Sequence, residues 1–408
     1  MKSVQLEQLA GIASTQPGNP RIVASGNLAT PVEVLAALDE AFEQYTLHML
    51  NATGRIPSRP GVIHETAFVG PAMRHSPGLH YVPCRLSLVP VLLQRVLNPD
   101  IVVIHTSLPR RGRVSMGIEV NILPGAIDAV RANGGILIAQ ANPNMPYTFG
   151  DAEIPVAELD YLVEVDAPLP VPPAAPDNEI ADVIGERIAH HVEDGATLQL
   201  GIGAIPNAVL ASLTHRRDLG FWSEMFSDGL LELNQHGCLD PDRPVTASFV
   251  IGSHELYEFI DRNRAVSLRR TEVTNDPARI AAQTNMTSIN SALEVDLSAQ
   301  ANASRINGRI YSGFGGSTDF IVGALHSPRG HAFMALPSWH PKAGTSTIVP
   351  LITEPITSFQ HSAIVTEQGM AEVFGRSEAQ QAREIINHAA HPDVRAQLLE
   401  AATELGRI

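Results

Sequence analysis

Residues 101–104 read Ile-Val-Val-Ile and residues 136–138 read Ile-Leu-Ile, two short runs of the kind buried on both faces of a sheet. Between them, 124–133 has helical spacing, opened by Pro124 and ended by Gly134-Gly135. Such a strand–helix–strand run predicts parallel strands joined by a crossover, hence an open α/β domain with a largely parallel sheet. The alternation also precedes this unit. Ile22-Val23-Ala24 leads into Ser25-Gly26, and Thr30-Pro31 opens an amphipathic run over 32–42. The stretch 167–176, Ala-Pro-Leu-Pro-Val-Pro-Pro-Ala-Ala-Pro, admits neither helix nor central strand and reads as a stiff linker. Beyond it come a helix over 180–190, a strand over 197–200, a glycine loop and a helix over 207–213. Further strands are expected at 245–251, 348–351 and 363–366, with closing helices at 378–388 and 394–405. The reading is two α/β domains, 1–175 and 176–408.

Composition narrows the function classes. The 408 residues are 44% hydrophobic and 17% charged, which excludes a disordered, collagenous or coiled-coil chain. With 28 Lys+Arg against 43 Asp+Glu the net charge is −15, so nucleic acid and anionic membranes are not expected partners. A small anion remains compatible, because backbone N–H groups and a few arginines can hold it locally. Cys84 and Cys238 lie far apart without CxxC spacing, which argues against a disulfide framework or a cysteine zinc site. The most apolar stretch, 88–97, is short and broken by Pro90, Gln94 and Arg95, and the first residues carry no apolar signal core. These features predict a soluble, cytoplasmic protein.

Three segments of the second half could carry chemistry. Gly201-Ile202-Gly203-Ala204-Ile205-Pro206 sits between a strand and a helix. It reads as a ligand-cradling loop, as a dinucleotide fingerprint with Pro206 in place of its third glycine and Glu224 as the ribose acid, or as a plain tight turn. Over 292–302 the residues alternate. Leu293, Val295, Leu297, Ala299 and Ala301 fall on one strand face, with Glu294, Asp296, Ser298, Gln300 and Asn302 on the other. That polar face lacks a cation, which suits a cleft or, equally, a polar edge strand. Tyr311-Ser312-Gly313-Phe314-Gly315-Gly316-Ser317-Thr318-Asp319, a short turn downstream at Asn307-Gly308, reads as a backbone nest for an anion or as a glycine-rich turn. Arg110, Arg111 and Arg113 form the densest basic cluster, with a solvated loop as its default reading. His254-Glu255 does not extend to an HExxH helix, no GxSxG elbow occurs, and no metal site is expected.

Together with Ser25–Pro31, 142–151, 224–229, Asn275-Asp276-Pro277, Thr366-Glu367-Gln368-Gly369 and His391-Pro392-Asp393, these segments resemble the acetyl-CoA hydrolase/transferase family over nearly the whole chain. This is a branch of the class I CoA-transferases that includes acetate and 4-hydroxybutyrate CoA-transferases. The resemblance implies a NagB/RpiA/CoA-transferase-like fold, two open α/β domains with the active site at their interface, and a homodimer. It implies Glu294 as the catalytic carboxylate, attacking an acyl-CoA thioester and then carrying CoA as a glutamyl thioester. Gly201, Gly203, Ala204, Ile205, Pro206, Gly313, Gly315 and Gly316 match its CoA and oxyanion loops. Gln300, Asn302, Asn144 and Met145 match its substrate pocket, while Asp296 is read as structural. CoA is then a substrate, acyl-CoA and small carboxylic acids are the partners, and no metal or tightly bound cofactor is needed.

The sequence departs from the family pattern at 357–363, where Thr-Ser-Phe-Gln-His-Ser-Ala replaces an Arg followed by an acid. It also departs at Gln368, Trp222-Ser223, Ala299, Ala301 and the short basic loop 108–112. Three other readings stay open: an acyl-CoA hydrolase using the same glutamate, an NAD-dependent oxidoreductase, and a non-enzymatic CoA sensor.

Overall fold

The Ile101–Thr106 strand is buried at every position and pairs in parallel with a strand on each side. This is the arrangement its unbroken apolar run demands. In the computed structural model, which describes every residue except Ser14, Ala174, Ala175, Asp177 and Phe359, it lies within an eight-stranded sheet. The strand order is Lys2–Ser3, Tyr161–Glu164, Ile136–Ala141, Ile101–Thr106, Arg21–Ala24, Tyr45–His48, Val62–Thr66 and Leu79–Tyr81, all parallel. The crossover between the two apolar strands is the helix Leu123–Ala132, with Pro124 in its first turn. It stops where Gly134 takes φ +71°.

Contacts divide the chain into two units. The first comprises Met1–Pro172, Pro244–Thr274 and Ile310–Gly315; the second comprises Pro173–Arg243, Asn275–Arg309 and Gly316–Ile408. The first boundary falls within the proline-rich stretch, of which Ala174 and Ala175 are outside the described residues. A single division at 175 would assign 244–274 and 310–315 to the second unit. Backbone pairing explains part of the difference: Val245–Ala247 pairs with Val266–Leu268, which in turn pairs with Phe149–Gly150.

The second unit is built on a six-stranded sheet. Its order is Gly220–Phe221, Thr197–Leu200, Met286–Ser291, His331–Ala335, Ala363–Thr366 and Gly369–Glu372, parallel except for the last pair. Met286, Phe320, Ile364 and Ile385 are among its fully buried core. Some elements differ from the sequence reading. The helix expected at 207–213 begins at Ala204, and the strand expected at 245–251 breaks into Val245–Ala247 and Phe249–Val250. Among the described residues, no helix is long and apolar enough to cross a membrane.

Candidate active site

Parallel strands all end on one edge of a sheet, so the residues that follow them collect there. In the second unit this edge carries Glu224 after Gly220–Phe221, the glycine loop after Thr197–Leu200, and Glu294 after Met286–Ser291. Ser338 and Glu367 follow the next two strands. From Thr197–Leu200 the chain moves to a strand on one side; from Met286–Ser291 it moves to a strand on the other. The loops after these two adjacent strands therefore diverge, and a topological switch point of this kind is where open α/β sheets bind ligands. The two strands are locked side by side. Leu200 stands opposite Ile289, Ser288 Oγ donates to Gln199 Oε1 at 2.5 Å, and Asn290 Nδ2 donates to the same oxygen at 3.3 Å.

Glu294 does not lie on the continuous strand that alternation over 292–302 suggests. Glu294–Asp296 and Ala301–Asn302 are two antiparallel arms, with Glu294 directly opposite Asn302. The turn is made by Asp296, whose Oδ1 accepts from the N–H groups of Ser298 at 2.9 Å and Gln300 at 3.0 Å, while Ala299 takes φ +59°. Asp296 Oδ2 also accepts from Ile352 N–H, so this buried carboxylate serves the backbone. Val295 and Ala301, one on each arm, are buried, as are Leu297 and Ala299 in the turn between them. Asn302 Nδ2 donates to Glu294 Oε1 at 2.9 Å, and its own Oδ1 is held by the N–H groups of Ser304 and Arg305. A buried, fully engaged amide thus aims the Glu294 carboxylate, while the Gln300 amide donates to Ser298 O at 3.2 Å.

At the neighbouring loop Gly203 takes φ +122° and caps the helix Ala204–Ala211, placing Ile205 and Pro206 in its first turn. A side chain on Gly201 or Gly203 would enter open space, so at Gly203 the backbone angle is what favours glycine. Ser223 Oγ donates to Leu200 O at 3.1 Å and ties this loop to the Glu224 segment. Glu224 itself accepts from Asn275 Nδ2 at 3.1 Å and from the Gly316 N–H. These two contacts hold the Glu224 side chain within the fold. At the far end of the edge, Glu367 accepts from Ser338 N–H at 2.8 Å, from the Ser338 hydroxyl and from Gln368 Nε2. Burial would raise its carboxyl, but these donors hold it below the ordinary value.

Burial pushes the Glu224 carboxyl up to about 7; the Asn275 donor opposes this, Asp319 adds to it, and the Gly316 N–H opposes it. In the unfolded chain this group ionises near 4.5, so between those values the folded protein holds more protons and loses stability as pH rises. Glu224→Gln removes the titration. Its thermal midpoint relative to the native protein is expected to be higher at pH 8 than at pH 5, and an equal difference at both would contradict a raised carboxyl.

Several other residues singled out in the sequence belong to the first unit. Gly313 and Gly315 belong to the first unit, where Gly313 bridges to Phe68 and Gly315 O accepts from Leu86 N–H; Gly316 belongs to the second. Asn144 and Met145 line a cavity of about 650 Å³ in the first unit, and Asn144 Nδ2 donates to Asp166 Oδ1 at 2.9 Å. Of the departures, 357–363 includes Phe359, which is outside the described residues. The sequence marks Glu224, Asn275, Gly316 and Glu367 only as members of separate segments and does not single out Ser338, so neither the Glu224–Asn275–Gly316 nor the Ser338–Glu367 contact is legible there. Among the described residues, no group of three or more His, Cys, Asp or Glu side chains is placed to hold a metal ion.

A 4-hydroxybutyrate coenzyme A transferase from Clostridium kluyveri is 35% identical over 404 residues, covering 93% of this chain and 92% of that protein. This chain belongs to the acetyl-CoA hydrolase/transferase family. The model of that family's C-terminal domain matches residues 252–402, a span that contains Glu294, Asn302 and the 313–316 loop. Two solved structures of the same shape extend the likeness. RipA from Yersinia pestis superimposes with a TM-score of 0.92 at 29% identity, covering 100% of this chain and 98% of that one. A 4-hydroxybutyrate CoA-transferase from Porphyromonas gingivalis gives 0.83 at 30% identity, covering 99% and 98%. The α/β fold with mostly parallel sheets is therefore the fold of these family members.

Proposed function

We propose that this chain is an acyl-CoA:carboxylate CoA-transferase that moves CoA between short-chain acids through a thioester on Glu294. The observation that carries this reading is the place of Glu294: at the switch point of a parallel sheet, partly open to solvent, with one oxygen fixed by Asn302. The free carboxylate oxygen attacks the thioester carbonyl of the donor, the C–S bond breaks, and a mixed anhydride and CoA thiolate result. The thiolate attacks the glutamyl carbonyl and expels the donor acid, leaving the glutamyl-CoA thioester. An acceptor carboxylate reverses these steps and leaves as the new acyl-CoA. Tetrahedral oxyanions form throughout, and a preorganised N–H donor is worth about 2.7–4 kcal/mol to such a centre. The glycine loop beside Glu294 is a source of such donors.

Water attacking the same thioester gives the hydrolase reading. The family name covers both, and acceptor-dependent turnover separates them. CoA is a substrate in this proposal, not a bound cofactor. A cytoplasmic setting is supported by Cys84 and Cys238, buried without a disulfide; a homodimer rests on the family resemblance. The test is a trap. Borohydride added after acetyl-CoA reduces a glutamyl thioester to a primary alcohol, and mass spectrometry is expected to find that alcohol at position 294. An unmodified Glu294 after acetyl-, propionyl-, butyryl- and succinyl-CoA, each shown to bind, overturns the mechanism.

A further inference from the structure

The basic cluster 110–113 is exposed, as the solvated-loop reading expects, and it forms a tight hairpin. Arg110 N–H donates to Arg113 O at 2.7 Å and Arg113 N–H donates to Arg110 O at 3.0 Å, so the two residues face each other across a two-residue hairpin. Its turn residues, Arg111 and Gly112, take φ +50° and +75°. Both angles are positive, the pattern of a type I′ turn, whose first position favours Asn, Asp or Gly and disfavours arginine. Directly opposed like charges destabilise a strand pair. Here a tight turn sets the backbones of two arginines opposite each other, Arg113 Nη2 donates to the Glu153 carbonyl at 3.4 Å, and a third arginine occupies the disfavoured turn position.

Two more arginines reach the same place from a distant part of the first unit. Arg262 and Arg264 join Arg110, Arg111 and Arg113 around a cavity of about 370 Å³, with Tyr147, Phe149 and Glu153 completing the wall. Arg262, at φ +55°, is the only one of the five in an ion pair with a described carboxylate, Asp261 at 2.6 Å. The sole carboxylate of the lining, Glu153, accepts from the Tyr147 hydroxyl at 2.7 Å. Arg264 lies over the Phe149 ring at 4.4 Å, which fixes the plane of its guanidinium. In a chain of net charge −15, five arginines around one cavity with so little local compensation call for a multiply charged anion. One carboxylate would leave most of that charge unmatched; a chain of two or three phosphates would match it with bidentate contacts.

We propose that this cavity binds a short polyphosphate chain, carried by a nucleotide or free in solution. The proposal does not depend on the reaction assigned to Glu294. It is tested by calorimetric titration of the full-length protein with tripolyphosphate and with ATP in turn, at low and moderate salt. At least one is expected to bind saturably. Arg110→Ala/Arg113→Ala and, separately, Arg264→Ala are each expected to weaken that binding by about tenfold or more, as loss of bidentate guanidinium–phosphate contacts does. The control Arg329→Ala, whose partner is Glu193 in the second unit, leaves it unchanged. Preference for ATP over tripolyphosphate identifies a nucleotide as the source; equal affinity identifies the bare chain. Because the opposed pair is a source of repulsion, the double variant without ligand is expected to melt no lower than the native protein. Absence of binding by both probes, or binding undiminished in the arginine variants, overturns the proposal.

Discussion

Glu294→Gln is expected to lower CoA-transfer turnover by about 10⁴-fold or more, the scale of loss when a covalent nucleophile is removed. The replacement keeps shape and volume, and its Oε1 still accepts the Asn302 Nδ2 hydrogen bond recorded at 2.9 Å. Unfolding behaviour and CoA binding are therefore expected to stay near native while turnover vanishes. Glu294→Asp tests the geometry instead. It preserves the carboxylate but withdraws it along the side chain, and a misplacement near 1 Å costs about 10²-fold in an oriented reaction. The order native, Asp, Gln in turnover, with CoA affinity unchanged, is the signature of an attacking carboxylate. An oxidoreductase at the glycine loop would retain a nicotinamide absorbance change in Glu294→Gln. A CoA sensor would show no turnover in the native protein to lose.

How far the sequence could foretell this site depends on which interactions are local. The strand Thr197–Leu200 and the helix Leu123–Ala132 were legible because burial periodicity and terminal Pro and Gly residues are properties of contiguous sequence. The turn after Asp296 was not. Four residues separate the arms, Val295 pairs with Ala301, and the apolar parity set before the turn continues after it. A period of two therefore runs through the reversal without interruption. No Gly, Pro or Asn announces it, because the Asp296 side chain and Ala299 at φ +59° make the bend. The consequence for the site is direct: Glu294 and Asn302, eight positions apart, become hydrogen-bonded partners. Likewise Glu224, Asn275 and Gly316 meet only through the tertiary fold, so sequence could mark each segment and not their contact. The returns of 244–274 and 310–315 to the first unit were hidden for the same reason.

That long-range contact makes Gly316→Ala the other substitution with a large expected effect. Gly316 has φ −104° and ψ 1°, angles open to alanine, so backbone strain is not the obstacle. The obstacle is space: a Cβ there would lie deep inside van der Waals contact with Glu224 Oε2 and Asn275 Nδ2. Both atoms end flexible side chains and can move, but moving them breaks the hydrogen bond between them and displaces a largely desolvated carboxyl. Leaving such groups unsatisfied costs about 1–3 kcal/mol, and each kcal/mol lowers the thermal midpoint of a unit this size by about 2–4 °C. A double-mutant cycle isolates the cause. If the loss arises from the Glu224 contact, Gly316→Ala costs markedly less in a Glu224→Ala background, with a coupling of about 0.5–3 kcal/mol. An equal cost in both backgrounds would place the damage in the start of the helix Ser317–His326. Because Glu224 and Glu294 stand on one edge of the same sheet, the same variants measured for CoA affinity report whether the Glu224 contact bears on the binding proposed at that edge.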